Sequence, residues 1–165
     1  MKKHILAIIV ENHAGVLCRV AGLFSRRGYN IDSLSVGETE KSDVSRITVS
    51  VTCDGKIIDQ IKKQVAKLIE VKDVFELLHD SSVYRELALI KIKTDVANRM
   101  EVVGIVDIFR ANIIDVSNVS ITVEITGDEA KISAFAQLMA PYGVTEIART
   151  GLTGLRRGLS KQPKD

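Results

Sequence analysis

The chain of 165 residues is long enough for one ordinary domain or two small ones. Hydrophobic residues make up 45% and charged residues 27%, so an aliphatic core is expected and global disorder is not. The 23 basic and 21 acidic residues are mixed along the sequence, which argues against a dedicated nucleic-acid surface. No apolar run is long enough for a transmembrane helix, and Ile5–Val10 lacks the length and the cleavage site of a signal peptide. We therefore expect a cytoplasmic protein that binds neither nucleic acid nor a membrane.

The first half of the sequence predicts the element order βαββαβ. Short aliphatic or alternating segments favour strands at 5–10, 31–36, 44–53 and 71–78. The two stretches between them that carry apolar residues at helical spacing contain Val16, Leu17, Val20, Leu23 and Phe24 in the first, and Ile57, Ile58, Ile61, Val65, Leu68 and Ile69 in the second. This order is typical of a ferredoxin-like sandwich, with two helices on one face of an antiparallel sheet.

The second half repeats this order after a short polar stretch. Strands are predicted at 84–93, 113–116, 121–126 and 144–149, and helices at 98–109 and 129–139, the last of which is expected to bury Ile132, Phe135 and Leu138. The predicted fold class is therefore α+β, with two ferredoxin-like βαββαβ sandwiches in tandem. We expect domains at 1–78 and 84–150, a linker at 79–83 and a flexible tail at 151–165.

Residues that could support catalysis or metal binding do not occur in a recognisable pattern. None of the three histidines, His4, His13 and His79, has an obvious partner at motif spacing. Cys18 and Cys53 do not belong to a CxxC pair, and we interpret both as reduced packing residues. Phosphate-binding glycine motifs and HExxH are absent from the sequence. We expect no catalytic residues and no metal site, and the pattern favours a binding module.

The most informative segment is Glu11–Leu17, which joins a buried strand to the start of a helix. The first backbone N–H groups of a helix lack internal partners and favour an anion. Gly15 permits a turn and the close approach of a ligand, and Asn12 offers the donors and the acceptor that an α-amino acid requires. Val16 and Leu17 supply apolar surface for an aliphatic side chain. Alternatively, Asn12 and Gly15 simply cap the helix, and the residues alone leave both interpretations open.

Asn30 is the second polar candidate, at the start of the second predicted strand. In a split βαβ unit the first two strands run parallel, so Asn12 and Asn30 of one chain are expected at opposite ends of the sheet. If the second strand is an edge strand, antiparallel pairing with the same strand of a second chain brings each loop near the partner's Asn30. This geometry predicts two equivalent ligand sites in a symmetric homodimer.

Several segments of the sequence are similar to one known family. The run Glu11–Leu17 and the segment 22–34 (GLFSRRGYNIDSL) resemble the N-terminal ACT domain of acetolactate synthase (acetohydroxyacid synthase) small subunits. The resemblance continues through 85–91 (RELALIK), 109–116 (FRANIIDV), 141–144 (PYGV) and 149–151 (RTG). It therefore spans nearly the whole chain, as an N-terminal ACT domain followed by a C-terminal small-subunit domain.

The resemblance implies a regulatory subunit of branched-chain amino acid biosynthesis that is not itself an enzyme. Such a subunit binds and activates a catalytic large subunit, which carries thiamine diphosphate, FAD and magnesium, and it confers feedback inhibition, usually by valine. No cofactor is then expected in this chain. The effector contacts implied are Asn12, His13, Ala14, Gly15, Val16 and Leu17 of one chain, with Asn30 and Ile31 of a neighbour in an ACT homodimer. Ala14 stands where many relatives have proline.

Two other classes of protein remain as alternatives. An ACT-type transcriptional regulator needs a DNA-binding element, and no predicted helix pair has the character of a helix-turn-helix. An independent enzyme on a ferredoxin-like scaffold would show activity when the purified chain is assayed with pyruvate, thiamine diphosphate and FAD.

Overall fold

The structure is a computed structural model that describes residues 1–158. The described residues form two compact units, one made of residues 1–83 together with 152–158, and the other of residues 84–151. Residues 159–165 of the predicted tail lie outside the described part. Among the helices of residues 1–158, none is long and apolar enough to cross a membrane.

The first unit has the predicted βαββαβ order. Its elements are β1 (Lys2–Glu11), α1 (Val16–Arg26), β2 (Ser33–Glu38), β3 (Val44–Cys53), α2 (Gly55–Val65) and β4 (Val71–Glu76). The sheet order is β2-β3-β1-β4, and every neighbouring pair is antiparallel. Strand β2 is therefore an edge strand, and β1 and β2 run parallel to each other on either side of β3.

The core of the first unit follows from the alternation of the central strands. Leu6 and Ile8 of β1 lie fully buried beside Ile47 and Val49 of β3, under the apolar faces of α1 and α2. The prediction that Ile69 belongs to the apolar face of α2 is wrong, since this side chain is 92% exposed. The helix ends at Val65, so a residue four positions later no longer follows the helical spacing.

The second unit repeats the same architecture. Its elements are β5 (Ser82–Lys93), α3 (Arg99–Ile108), β6 (Asn112–Val116), β7 (Ser120–Gly127), α4 (Glu129–Met139) and β8 (Val144–Arg149), in the sheet order β6-β7-β5-β8. Phe135 and Met139 of α4 are fully buried, whereas Leu138 is half exposed, contrary to the prediction. Met139 follows Phe135 by four residues and shares its face of the helix, while Leu138 is rotated toward solvent.

A ninth strand returns the chain to the first unit. Strand β9 (Thr153–Arg156) follows β8 and pairs with β5, and residues 152–158 belong to the first unit. Leu152 is buried, the Arg46 side chain donates to the Gly154 carbonyl at 3.4 Å, and the Arg157 N–H donates to the Ser81 carbonyl at 2.8 Å. The expectation of a flexible tail from residue 151 is therefore wrong for β9. A four-residue strand depends on such tertiary contacts and carries too little local pattern to be predicted.

Candidate amino-acid-binding site

The loop between β1 and α1 is hydrogen-bonded to two other segments of the first unit. The Glu11 N–H donates to the Glu70 carbonyl at 2.9 Å, just before β4. The Asn12 N–H donates to the Asp43 carbonyl at 2.8 Å, in the turn between β2 and β3. The loop therefore has a fixed position at the end of the sheet where β1 and β2 end.

Helix α1 begins without a side-chain cap. Gly15 occupies the cap position with φ of +90°, and among the described residues no side chain accepts a hydrogen bond from the first turn as a cap. The first turn also contains no acidic residue. A Cβ atom built on Gly15 would meet no atom within 4 Å, so the space beside the helix start is open. This end of the helix can accept an anionic group, because the N–H groups and the helix dipole both favour one.

The Asn12 side chain is oriented by the turn between β2 and β3. Its Nδ2 donates to Glu38 Oε1 at 3.1 Å and to the Ser42 carbonyl at 2.8 Å. The protein thus engages the donor end of the amide, and Oδ1 is the atom that can accept an N–H from a ligand. Sequence reasoning missed these two contacts, because Glu38 and Ser42 are 26 and 30 residues away from Asn12 in the sequence.

The other predicted site residues of the loop differ in how far their side chains are exposed to a ligand. His13 Nε2 lies 3.2 Å from Glu11 Oε2, and His13 Nδ1 lies 3.1 Å from the Ala14 carbonyl oxygen, so the exposed imidazole contacts its own loop. Leu17 is 40% exposed and available for apolar contact. Val16 is only 3% exposed, because its side chain enters the core, and the expectation that it offers apolar surface is wrong. Its backbone N–H remains at the helix start.

Asn30 and Ile31 lie far from the loop of the same chain. Strand β2 begins at Ser33, two residues later than predicted, so both residues precede the strand. Ser33 pairs with Ser50 of β3, whereas Glu11 pairs with Val44, six residues away along the same strand. At about 3.4 Å per residue this separation is about 20 Å.

Asn30 is oriented by polar neighbours at this far end of the sheet. Its Nδ2 donates to Asp32 Oδ1 at 3.3 Å, and Asp32 Oδ2 accepts from Thr52 Oγ1 at 2.7 Å.

Within residues 1–158, no three His, Cys, Asp or Glu side chains are grouped so that they could hold a metal ion.

Comparison with known proteins assigns the family. Residues 6–73 match the model of the ACT domain of AHAS small subunits, and residues 85–158 match the model of the small subunit of acetolactate synthase. The chain belongs to the acetolactate synthase small-subunit family. A probable acetolactate synthase small subunit of Archaeoglobus fulgidus is 52% identical over 96% of this chain and 99% of its own length. The acetolactate synthase small subunit of Bacillus subtilis is 46% identical over 97% of this chain and 94% of its own.

A solved structure supports the same assignment. The acetolactate synthase small subunit of Thermotoga maritima superimposes on this chain with a TM-score of 0.89 and is 42% identical to it in sequence. The match covers 97% of this chain and 100% of the Thermotoga maritima chain. The predicted architecture of two tandem βαββαβ units is therefore confirmed for the present chain. Its ACT domain contains both the loop before α1 and the edge strand β2, and an ACT domain supports regulation by an amino-acid effector.

Proposed function

We propose that this chain binds and activates the catalytic large subunit of acetolactate synthase and confers feedback inhibition by valine or another branched-chain amino acid. The observation that carries the proposal is the open, uncapped start of α1 beside Gly15, in a domain that belongs to the ACT family. The proposal adds to family membership a ligand class, a place for the ligand and a direction of regulation.

The carboxylate of the effector would lie against the start of α1. The backbone N–H groups of Val16 and Leu17 belong to the first turn, and the absence of a side chain at Gly15 leaves room for the two carboxylate oxygens. The α-ammonium would lie toward the Asn12 Oδ1, with the carboxylate of Glu38 nearby as a counter-charge. Leu17 would contact the aliphatic side chain of the effector.

The site would be completed by a second copy of the chain. The hydrogen bond of Asn12 to Glu38 places the loop beside the end of β2. Because β2 is an edge strand, it can pair antiparallel with β2 of a partner, and the start of the partner's strand would then lie beside this loop. Asn30 and Ile31 precede that start, so each homodimer would hold two equivalent sites.

The effector acts by its differential affinity for two arrangements of the dimer. A ligand can shift the large subunit only if it binds one arrangement more tightly than the other. Valine, leucine and isoleucine differ by about one methylene group, which a pocket distinguishes by only about 1–3 kcal/mol. We therefore assign the effector to the branched-chain class, with valine as the first candidate.

Catalysis would reside in the large subunit, together with thiamine diphosphate, FAD and magnesium. The decisive experiment mixes the purified chain with its large subunit and measures acetolactate formation with and without valine, leucine and isoleucine. We expect higher activity on addition of the small subunit and inhibition by at least one of the three amino acids. Acetolactate formation by the isolated chain, or the absence of both activation and inhibition, would contradict the proposal.

A further inference from the structure

Glu70 is a buried acidic residue that the proposed ligand contacts do not use. It is only 6% exposed and immediately precedes β4. A buried carboxylate is costly unless it is paired, and Glu70 forms an ion pair with Arg19 of α1. Arg19 itself is largely exposed, so its guanidinium reaches inward from the helix surface to the carboxylate.

The same two residues hold both ends of the loop at the helix start. The backbone carbonyl of Glu70 accepts the N–H of Glu11, where the loop leaves β1, at 2.9 Å. The backbone N–H of Arg19 donates to the Gly15 carbonyl at 3.1 Å, where the loop enters α1. One residue before β4 therefore contacts the first residue of the loop through its main chain and the first turns of α1 through its side chain.

We propose that the Arg19–Glu70 ion pair is a positioning pair for the effector site. It fixes the start of α1 relative to the end of β1, and so sets the direction in which the N–H groups at the helix start point. Neither side chain contacts the ligand in this proposal. The inference rests on the proposed function for its binding readout, but its structural part concerns the chain alone.

The test compares three single variants, and the double variant Glu70→Gln/Arg19→Met, with the parent chain. Glu70→Gln keeps the size of the side chain and removes its charge, Arg19→Met removes the guanidinium, and Arg19→Lys keeps a positive charge. Asp59→Asn is the matched control, because it breaks an exposed ion pair of 2.8 Å with Lys62 on α2. Each is examined as the full chain, for hydrogen exchange without ligand and for valine affinity by calorimetry.

We expect faster amide exchange of residues 11–19 in Glu70→Gln and Arg19→Met, with the exchange of β3 unchanged. We expect valine affinity to fall about tenfold in both variants and to recover in part in Arg19→Lys. In the Glu70→Gln/Arg19→Met double variant, valine affinity should fall no further than in either single variant, because both substitutions remove the same ion pair. The Asp59→Asn control should match the parent in both measurements.

Three outcomes are decisive, and the last of them separates this inference from the proposed function. Unchanged exchange of residues 11–19 in both variants would overturn the positioning role, whatever the ligand does. A lower melting temperature with unchanged valine affinity would also overturn it, because a merely structural pair predicts that result. If the parent chain binds no branched-chain amino acid while exchange increases as expected, the proposed function fails and the positioning of the loop stands.

Discussion

The guanidinium carbon of Arg156 lies 3.8 Å from the centroid of the Phe75 ring. Arg156 belongs to β9 near the end of the described chain, and Phe75 belongs to β4 of the first unit. The second guanidinium near this ring is that of Arg46, at 5.9 Å. Burial lowers the pKa of Arg46, the nearby Arg156 charge lowers it as well, and Glu40 opposes both effects. Strand β9 therefore places a cationic side chain over the ring of Phe75 in the sheet of the first unit.

Loss of this stacking contact should destabilise the first unit. We expect Arg156→Ala to lower the free energy of unfolding by about 0.5–2 kcal/mol, the range of cation–π contacts. Arg157→Ala is the matched control, because Arg157 contacts Ser81 through its backbone N–H, which the substitution keeps. Urea unfolding of both variants measures the difference, and equal stabilities would show that the stacking contributes nothing.

Substitution of Gly15 should abolish inhibition. Gly15→Asp places a negative charge where the effector carboxylate would lie, so we expect valine inhibition to vanish while activation of the large subunit persists. Any side chain at φ of +90° is also strained, by about 1–2 kcal/mol. Gly158→Asp is the matched control, since Gly158 has φ of +68° and is likewise free of neighbouring atoms. Valine sensitivity retained in Gly15→Asp would refute the site.

A shared site predicts complementation between two inactive variants. We expect Asn12→Ala and Asn30→Ala homodimers each to lose valine binding. In a mixed dimer, Asn12 of one chain and Asn30 of the other form one intact site, while the second site lacks both residues. Mixing and refolding the two variants should therefore restore binding to at most one site per mixed dimer, measured by calorimetry. Full binding by a monomer in sedimentation would count decisively against a shared site.

Two isoleucines provide a matched test of the core. Ile61→Ala removes a fully buried side chain, and we expect a loss of about 2–5 kcal/mol in the free energy of unfolding. Ile69→Ala removes a side chain that is 92% exposed, and its effect should stay within about 0.5 kcal/mol. Chemical denaturation of the two variants distinguishes them. Similar losses would mean that Ile69 is covered in solution.

The two cysteines should differ in reactivity and in their effect on stability. Burial raises the pKa of the Cys53 thiol, and the charges of Asp54 and Glu76 raise it further. Because the folded state favours the neutral thiol, this contribution to stability is complete below the unfolded pKa of about 8.5 and is lost as pH rises through the higher folded pKa. Cys18 is exposed and should react first with a thiol reagent.

Cys53→Ala tests whether the Cys53 thiol causes the loss of stability at alkaline pH, and Cys18→Ala is the control. We expect stability to fall less steeply above about pH 8.5 in this variant than in the parent. Cys18→Ala should retain the parent's slope. Equal slopes in the parent and in Cys53→Ala would assign the alkaline loss of stability to other groups.

The fold could be predicted where local pattern and tertiary structure agree. Strand β3 has apolar residues at alternate positions and was predicted with its observed ends, Val44 and Cys53. The end of α2 was not predicted correctly, because Ile69 continues the apolar sequence pattern although the helix ends at Val65. Propensity alone does not say where a helix is stopped by its neighbours.

The candidate site was less accessible to sequence reasoning. The loop before α1 could be identified, since a polar segment with glycine joins a strand to a helix. The contacts that orient it could not, because Glu38 and Glu70 are distant in sequence and look like ordinary charges. Nothing in the residues around Glu70 indicates that its side chain is buried. Contacts between distant segments require the sheet order.

The return of β9 has a consequence for synthesis of the chain on the ribosome. Residues of the second unit, 84–151, are made after the first six elements and before β9. The first unit is thus discontinuous, and its last described segment, residues 152–158, is made after the whole of the second unit. Domains that fold during synthesis generally fold from the N-terminus. Here the first unit can reach its complete form only after the second unit has been made.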